Sequence, residues 1–130
     1  MTRSAILTLP LVLAACLPAA TPSQPTASIP EAMHGRWGLT ANDCTPGRAD
    51  AKGLMTVAPD TLAFYESRAR LVQGTTTGPG QLSGDFAFTG EGMTWQVQID
   101  LVLGPDGRTL TRVDTGPDAM PGPLVYTICG

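Results

Sequence analysis

The chain has 130 residues, eight Lys or Arg against eleven Asp or Glu, a single His, fifteen Gly and twelve Pro, and it is 42% hydrophobic but only 5% aromatic. That length suffices for one domain with one core and is too short for two. An acidic balance with no cluster of Lys or Arg excludes nucleic acid as a partner, because phosphate binding needs a basic footprint, and the Gly and Pro content favours short strands and many turns over long helices.

Residues 1–15 read as a lipoprotein signal peptide. Met1-Thr2-Arg3 supplies one positive charge, and residues 5–13 form an apolar run broken by Thr8 and Pro10. A membrane-spanning helix needs roughly 20 apolar residues, whereas a run of about ten ahead of small residues suits a secretory signal. Leu13-Ala14-Ala15-Cys16 resembles the lipobox of bacterial lipoproteins. That resemblance implies that the Cys16 thiol takes a diacylglycerol, that the preceding peptide is removed, and that Cys16 becomes the lipidated first residue. The alternative is ordinary secretion, with Ala14-Ala15 as a plain cleavage site and Cys16 incidental. Leu17 stands where the enterobacterial sorting rule reads Asp as inner-membrane retention, so the resemblance implies the outer membrane, facing the periplasm. Loss of Arg3 leaves seven basic against eleven acidic side chains. The membrane is then reached through acyl chains, two or more of which make a stable anchor, and not through charge.

Residues 16–30 form a Pro-, Ala-, Thr- and Ser-rich tether. Pro18, Pro22, Pro25 and Pro30 each fix φ and remove a backbone donor, which predicts an extended, irregular segment reaching at most about 3 Å per residue. The folded domain is expected over residues 31–130. With Cys16 assigned to lipid, Cys44 and Cys129 remain. An even remainder in an exported chain reads as one disulfide, and the absence of neighbouring Cys or His argues against a metal.

In chain order, residues 34–39 predict a first strand with the Trp37 indole plugging one end of a core, and residues 42–47 a turn-rich loop. Residues 54–58 and 61–66 predict two strands joined tightly at Pro59-Asp60. Residues 68–77 and 81–88 predict two more, with Phe86 and Phe88 on one face. The clearest element is Met93–Leu103, where Trp95, Val97, Ile99, Leu101 and Leu103 alternate with polar residues and Val102. Period two over this length is a strand with one face buried. Gly104-Pro105-Asp106-Gly107 is a hairpin turn, residues 108–114 pair back, and a looser loop leads to a last strand over 124–129. About eight short strands with hairpin links predict an all-β fold. A Cys44–Cys129 bond would bring first and last strands together, which selects a small up-and-down β-barrel.

The run Ile29-Pro30-Glu31-Ala32-Met33-His34-Gly35-Arg36-Trp37-Gly38-Leu39, with Asp43-Cys44, Gly53-Leu54 and Phe64-Tyr65-Glu66-Ser67, resembles small lipoproteins of alphaproteobacterial type over residues 29–72. This resemblance implies a location and no activity. Gly35-Arg36-Trp37-Gly38-Leu39 before a cysteine, with Leu101-Val102-Leu103-Gly104-Pro105-Asp106-Gly107-Arg108-Thr109-Leu110, is similar to the metalloprotease-inhibitor and outer-membrane lipoprotein barrel family. That family implies a small barrel blocking a protease with its N-terminal segment, which here is the tether.

Catalysis finds no constellation in the sequence. A triad needs a base, an orienting acid and a nucleophile, and the lone His34 sits at the tether junction. Asp43 and Asp50 match no calcium-loop spacing, and Gly78-Pro79-Gly80 and Gly90-Glu91-Gly92 precede strands, not the helix N-terminus that phosphate loops use. No cofactor and no metal are therefore expected, and the aromatic residues read as core. The expected function is a membrane-anchored, non-enzymatic lipoprotein with a structural role or a periplasmic protein partner, His34, Arg36 and Trp37 being the candidate interaction residues. The alternative is an inhibitor of an exogenous hydrolase, protease before lysozyme.

Overall fold

The structure, a computed structural model, describes residues 15–17, 24–26 and 28–130; residues 1–14 of the expected signal peptide and residues 18–23 and 27 of the expected tether lie outside the described residues. Among the described residues nine strands follow in order: β1 (Gln24–Thr26), β2 (Gly35–Gly38), β3 (Leu54–Val57), β4 (Thr61–Ala63), β5 (Arg68–Thr76), β6 (Gln81–Gly90), β7 (Met93–Leu103), β8 (Thr109–Thr115) and β9 (Leu124–Ile128). Strands β2 to β9 each pair antiparallel with their sequence neighbours, and β9 returns to β2. The result is a closed eight-stranded up-and-down barrel, which removes the exposed edges an open sheet of this size would carry.

Alternation builds the core as the sequence predicts. On β7, Val97, Ile99 and Leu101 are buried, as are Leu82, Phe86 and Phe88 on β6. Strand β5 departs from strict alternation: a bulge between Leu71 and Gln73 inserts Val72 and turns it outward, where it is half-exposed. An extra residue shifts the inward phase of everything after it. The β6–β7 hairpin closes through Glu91 and Gly92, both at positive φ (50° and 77°) between the paired Gly90 and Met93, the two-residue turn whose twist matches the flanking strands.

The two ends of the barrel differ. At the end holding the β3–β4 turn, a short 3-10 helix (Glu31–Met33) tucks Met33 inside, and Ile29 and Trp37 pack with it in the core. The Trp37 Nε1–H donates to the Met33 carbonyl at 2.9 Å, so this buried indole is satisfied. Folding begins earlier than Glu31. The irregular tether expected over residues 16–30 is interrupted by β1, which pairs antiparallel with Gly74–Thr76 of β5. Ile29 is buried, and its N–H donates to the Pro59 carbonyl at 2.6 Å. The physical reason is that Ile29, unlike the exposed Leu17, lies within reach of the barrel end, which offers its large apolar side chain cover.

Cys44 and Cys129 form the predicted disulfide, with Cα atoms 5.2 Å apart across a separation of 85 residues. Cys44 ends a second 3-10 helix (Ala41–Cys44) that folds over β2 where Gly38 leaves room: a Cβ there would stand 2.9 Å from the Cys44 Sγ. Asp43 in the same helix accepts hydrogen bonds from the Thr40 N–H and hydroxyl, each at 2.9 Å, and from the Gly53 N–H at 3.1 Å. Desolvation pushes its carboxyl pKa up, but these hydrogen bonds outweigh it and hold the group below its ordinary value.

Two outcomes are expected. Replacing both cysteines by serine removes a constraint worth about 4–5 kcal/mol for a loop of this length and lowers the thermal midpoint by more than about 10 °C, measured by circular dichroism. Asp43, with its folded-state pKa depressed, contributes stability that is present above its unfolded value and is lost as pH falls through the folded one. Denaturation of Asp43→Asn from pH 7 to pH 2.5 should therefore show a lower stability at neutral pH and a shallower decline below pH 4 than the parent chain.

Candidate functional site

The opposite end of the barrel stays open. The β2–β3, β4–β5, β6–β7 and β8–β9 connections meet at this end around a cup of about 810 Å³ whose walls include Phe64, Phe88, Trp95, Val97, Leu124 and Tyr126. That volume falls within the range of small-molecule sites. Alternation places the wall: Phe88 is the last inward residue of β6, Trp95 the first inward residue of β7, and the two pair across the sheet. Phe64, Phe88 and Trp95 stack in a ladder with centroid spacings of 5.7 and 5.3 Å.

An ion pair is sealed into this aromatic wall. Arg112 and Asp114 lie two residues apart on β8 and so share its inward face. Arg112 Nε donates to Asp114 Oδ1 at 2.7 Å and Nη2 to Oδ2 at 2.6 Å, and the two side chains are only 5% and 1% exposed. The guanidinium lies 4.7 Å from the Phe64 ring centroid and 6.0 Å from that of Phe88, where the ring faces favour a cation. Asp114 Oδ2 also accepts from the Met120 N–H at 3.4 Å, tying the β8–β9 loop to the pair. On neighbouring β9, burial raises the Tyr126 phenol pKa above its ordinary value, and the Arg112 charge offsets part of that rise.

The rim is apolar where a monomer's surface is usually polar. Leu39, Tyr65, Met93 and Met120 line the mouth and are 40–60% exposed. Around them stand the exposed charges Lys52, Glu66 and Asp118, with the Lys52 ammonium 5.9 Å from the Tyr65 ring centroid.

The residues singled out in the sequence lie elsewhere. The His34 Nε2 is 2.9 Å from the Ile29 carbonyl oxygen at the closed end. Arg36 points outward from β2 while its carbonyl accepts from the Cys129 N–H at 2.8 Å, and Trp37 is wholly inside the core. None of the three lines the cup. Cys16 is exposed and takes no part in a disulfide. Among the described residues, no group of three or more His, Cys, Asp or Glu side chains is placed to hold a metal, and no helix is long and apolar enough to cross a membrane. Period two along Leu110-Thr111-Arg112-Val113-Asp114 was the available signal for the ion pair, since it sets Leu110, Arg112 and Asp114 on one face. Comparison with protein-family models, curated proteins and solved structures returns no match.

Truncating one partner of a buried ion pair strands the other charge, which costs about 3–5 kcal/mol, whereas replacing both with apolar residues of similar size is often neutral. Urea denaturation should therefore find Asp114→Ala strongly destabilised and the Arg112→Met, Asp114→Leu double variant closer to the parent chain.

Proposed function

We propose that this protein is a lipid-anchored, non-enzymatic binding lipoprotein of the cell envelope, held through Cys16 to a membrane facing the periplasm and presenting the open end of its barrel to a partner. The observation that carries the proposal is the polarity of the barrel. The chain arrives at the closed end, where β1 lies against Gly74–Thr76 and Ile29 bonds to Pro59. The cup opens at the other end, beside the β4–β5 loop. From Cys16 to Gln24 the chain can span at most roughly 25 Å, so an anchor at Cys16 holds the closed end toward the bilayer and leaves the cup facing away from it. A cup with an apolar rim and a pre-formed wall suits binding, and the lone His34 is bound to the backbone at the far end, remote from the cup.

Inhibition of a protease by the N-terminal segment gains no support from the geometry. Met33 and Trp37 are wholly buried, and inserting the segment around them into a cleft would empty the closed end of the barrel.

The test of the anchor is the mass of the mature protein from its native host, intact and as Cys16→Ala. A chain beginning at Cys16 and heavier by a diacylglyceryl group, with that increment gone in the variant, is the expected result. An unmodified chain would overturn the anchor and leave a secreted barrel with a spare thiol.

A further inference from the structure

We infer that the cup is a binding site for a small, flat, uncharged and mainly apolar molecule. This deepens the binding role proposed above and is independent of the lipid on Cys16. Three observations set the class. The first is the stacked ladder of Phe64, Phe88 and Trp95, all three of which line the cup; a flat molecule can extend such a ladder, where ring-on-ring contact adds to burial.

The second is charge. Arg112 alone would mark a site for a carboxylate or phosphate, but its charge is already neutralised by bidentate contact with Asp114. At the mouth, Lys52 is set against Glu66 and Asp118, so the cup as a whole carries an excess of one negative charge. An anionic ligand would give up its hydration and find only the exposed Lys52 ammonium at the mouth, in a cup of net negative charge; an uncharged one escapes that cost. The third is rigidity. The ion pair, sealed under the aromatic rings and bonded to the Met120 N–H, fixes the wall and the β8–β9 loop before any ligand arrives, which reduces the ordering cost of binding.

The experiment uses the chain with Cys16→Ser, exported to the periplasm and purified without detergent, titrated with N-phenyl-1-naphthylamine and with its sulfonated analogue 8-anilinonaphthalene-1-sulfonate. The uncharged probe should bind saturably at micromolar concentration, and the sulfonate at least tenfold more weakly at low salt. Adjacent positions on β9 supply the controls. Leu124→Trp fills the cup from inside and should weaken binding at least tenfold, whereas Val125→Trp points outward and should leave it unchanged. Amide chemical shifts during the titration locate the probe even if Leu124→Trp fails to fold. Perturbations should gather on residues 64–67, 93–97 and 112–126. No saturable binding, preference for the sulfonate, equal binding by the two tryptophan variants, or perturbations gathered around the closed end would each overturn the inference. The mass of the native protein tests the anchor separately, so the two can fail independently.

Discussion

Closure of the barrel rests on a narrow seam. Strands β2 and β9, the first and last of the ring, share only two register pairs, Trp37 with Ile128 and Gly38 with Thr127, against ten between β6 and β7. Everything inward of that seam requires it to stay shut, because an open eight-stranded sheet would expose two edges and drain the core. The Cys44–Cys129 bond crosses beside it, and the Cys129 N–H adds a further bond to the Arg36 carbonyl. Gly38 is part of the same device: its missing side chain is what allows the Cys44 helix to lie close enough for sulfur to reach sulfur. One of the two shortest pairings of the sheet is thus reinforced covalently.

With the ring closed, the asymmetry between its ends follows from what each end has to bury. Ile29, Met33 and Trp37 fill one end with apolar volume, and the last polar atom there, the indole N–H, is used up by the Met33 carbonyl. The other end has aromatic side chains on the wall and, among the described residues, no segment that folds across it. It also contains an ion pair, which in so small a core is costly to desolvate unless fully hydrogen-bonded. The bidentate contact and the overlying rings meet that requirement, and no buried side-chain nitrogen or oxygen among the described residues lacks a partner.

Most of the barrel was legible in the sequence because alternation and turn chemistry are local. Met93–Leu103 announces its inward face residue by residue, and Gly104-Pro105-Asp106-Gly107 closes its turn as composition predicts, with Gly107 N–H bonded to the Gly104 carbonyl. What was not legible depended on contacts distant in sequence. Strand β1 sits in a Pro-rich stretch that no local rule would make a strand, and it exists because β5 offers it backbone partners. The bulge at Val72 is invisible to a periodicity that both phases of β5 satisfy in part. The cup was hidden for a different reason: Phe64, Phe88 and Trp95 are both core and lining, and their identities do not reveal whether the space between them is filled. Arg112 and Asp114 were readable as inward-facing, yet two charges pointing into a barrel are intelligible only once each is seen to complete the other.

The disulfide has a topological consequence as well as an energetic one. Residues 44–129 form a covalent ring that contains seven of the eight barrel strands, so a single cut in any loop from β3–β4 to β8–β9 opens the ring without separating the pieces. Such a nick yields two polypeptides joined through the disulfide, whose new ends lie at a turn and whose strands remain held in one molecule. In a compartment where peptidases act on exposed loops, the barrel can be cleaved once at its surface and not shed a fragment.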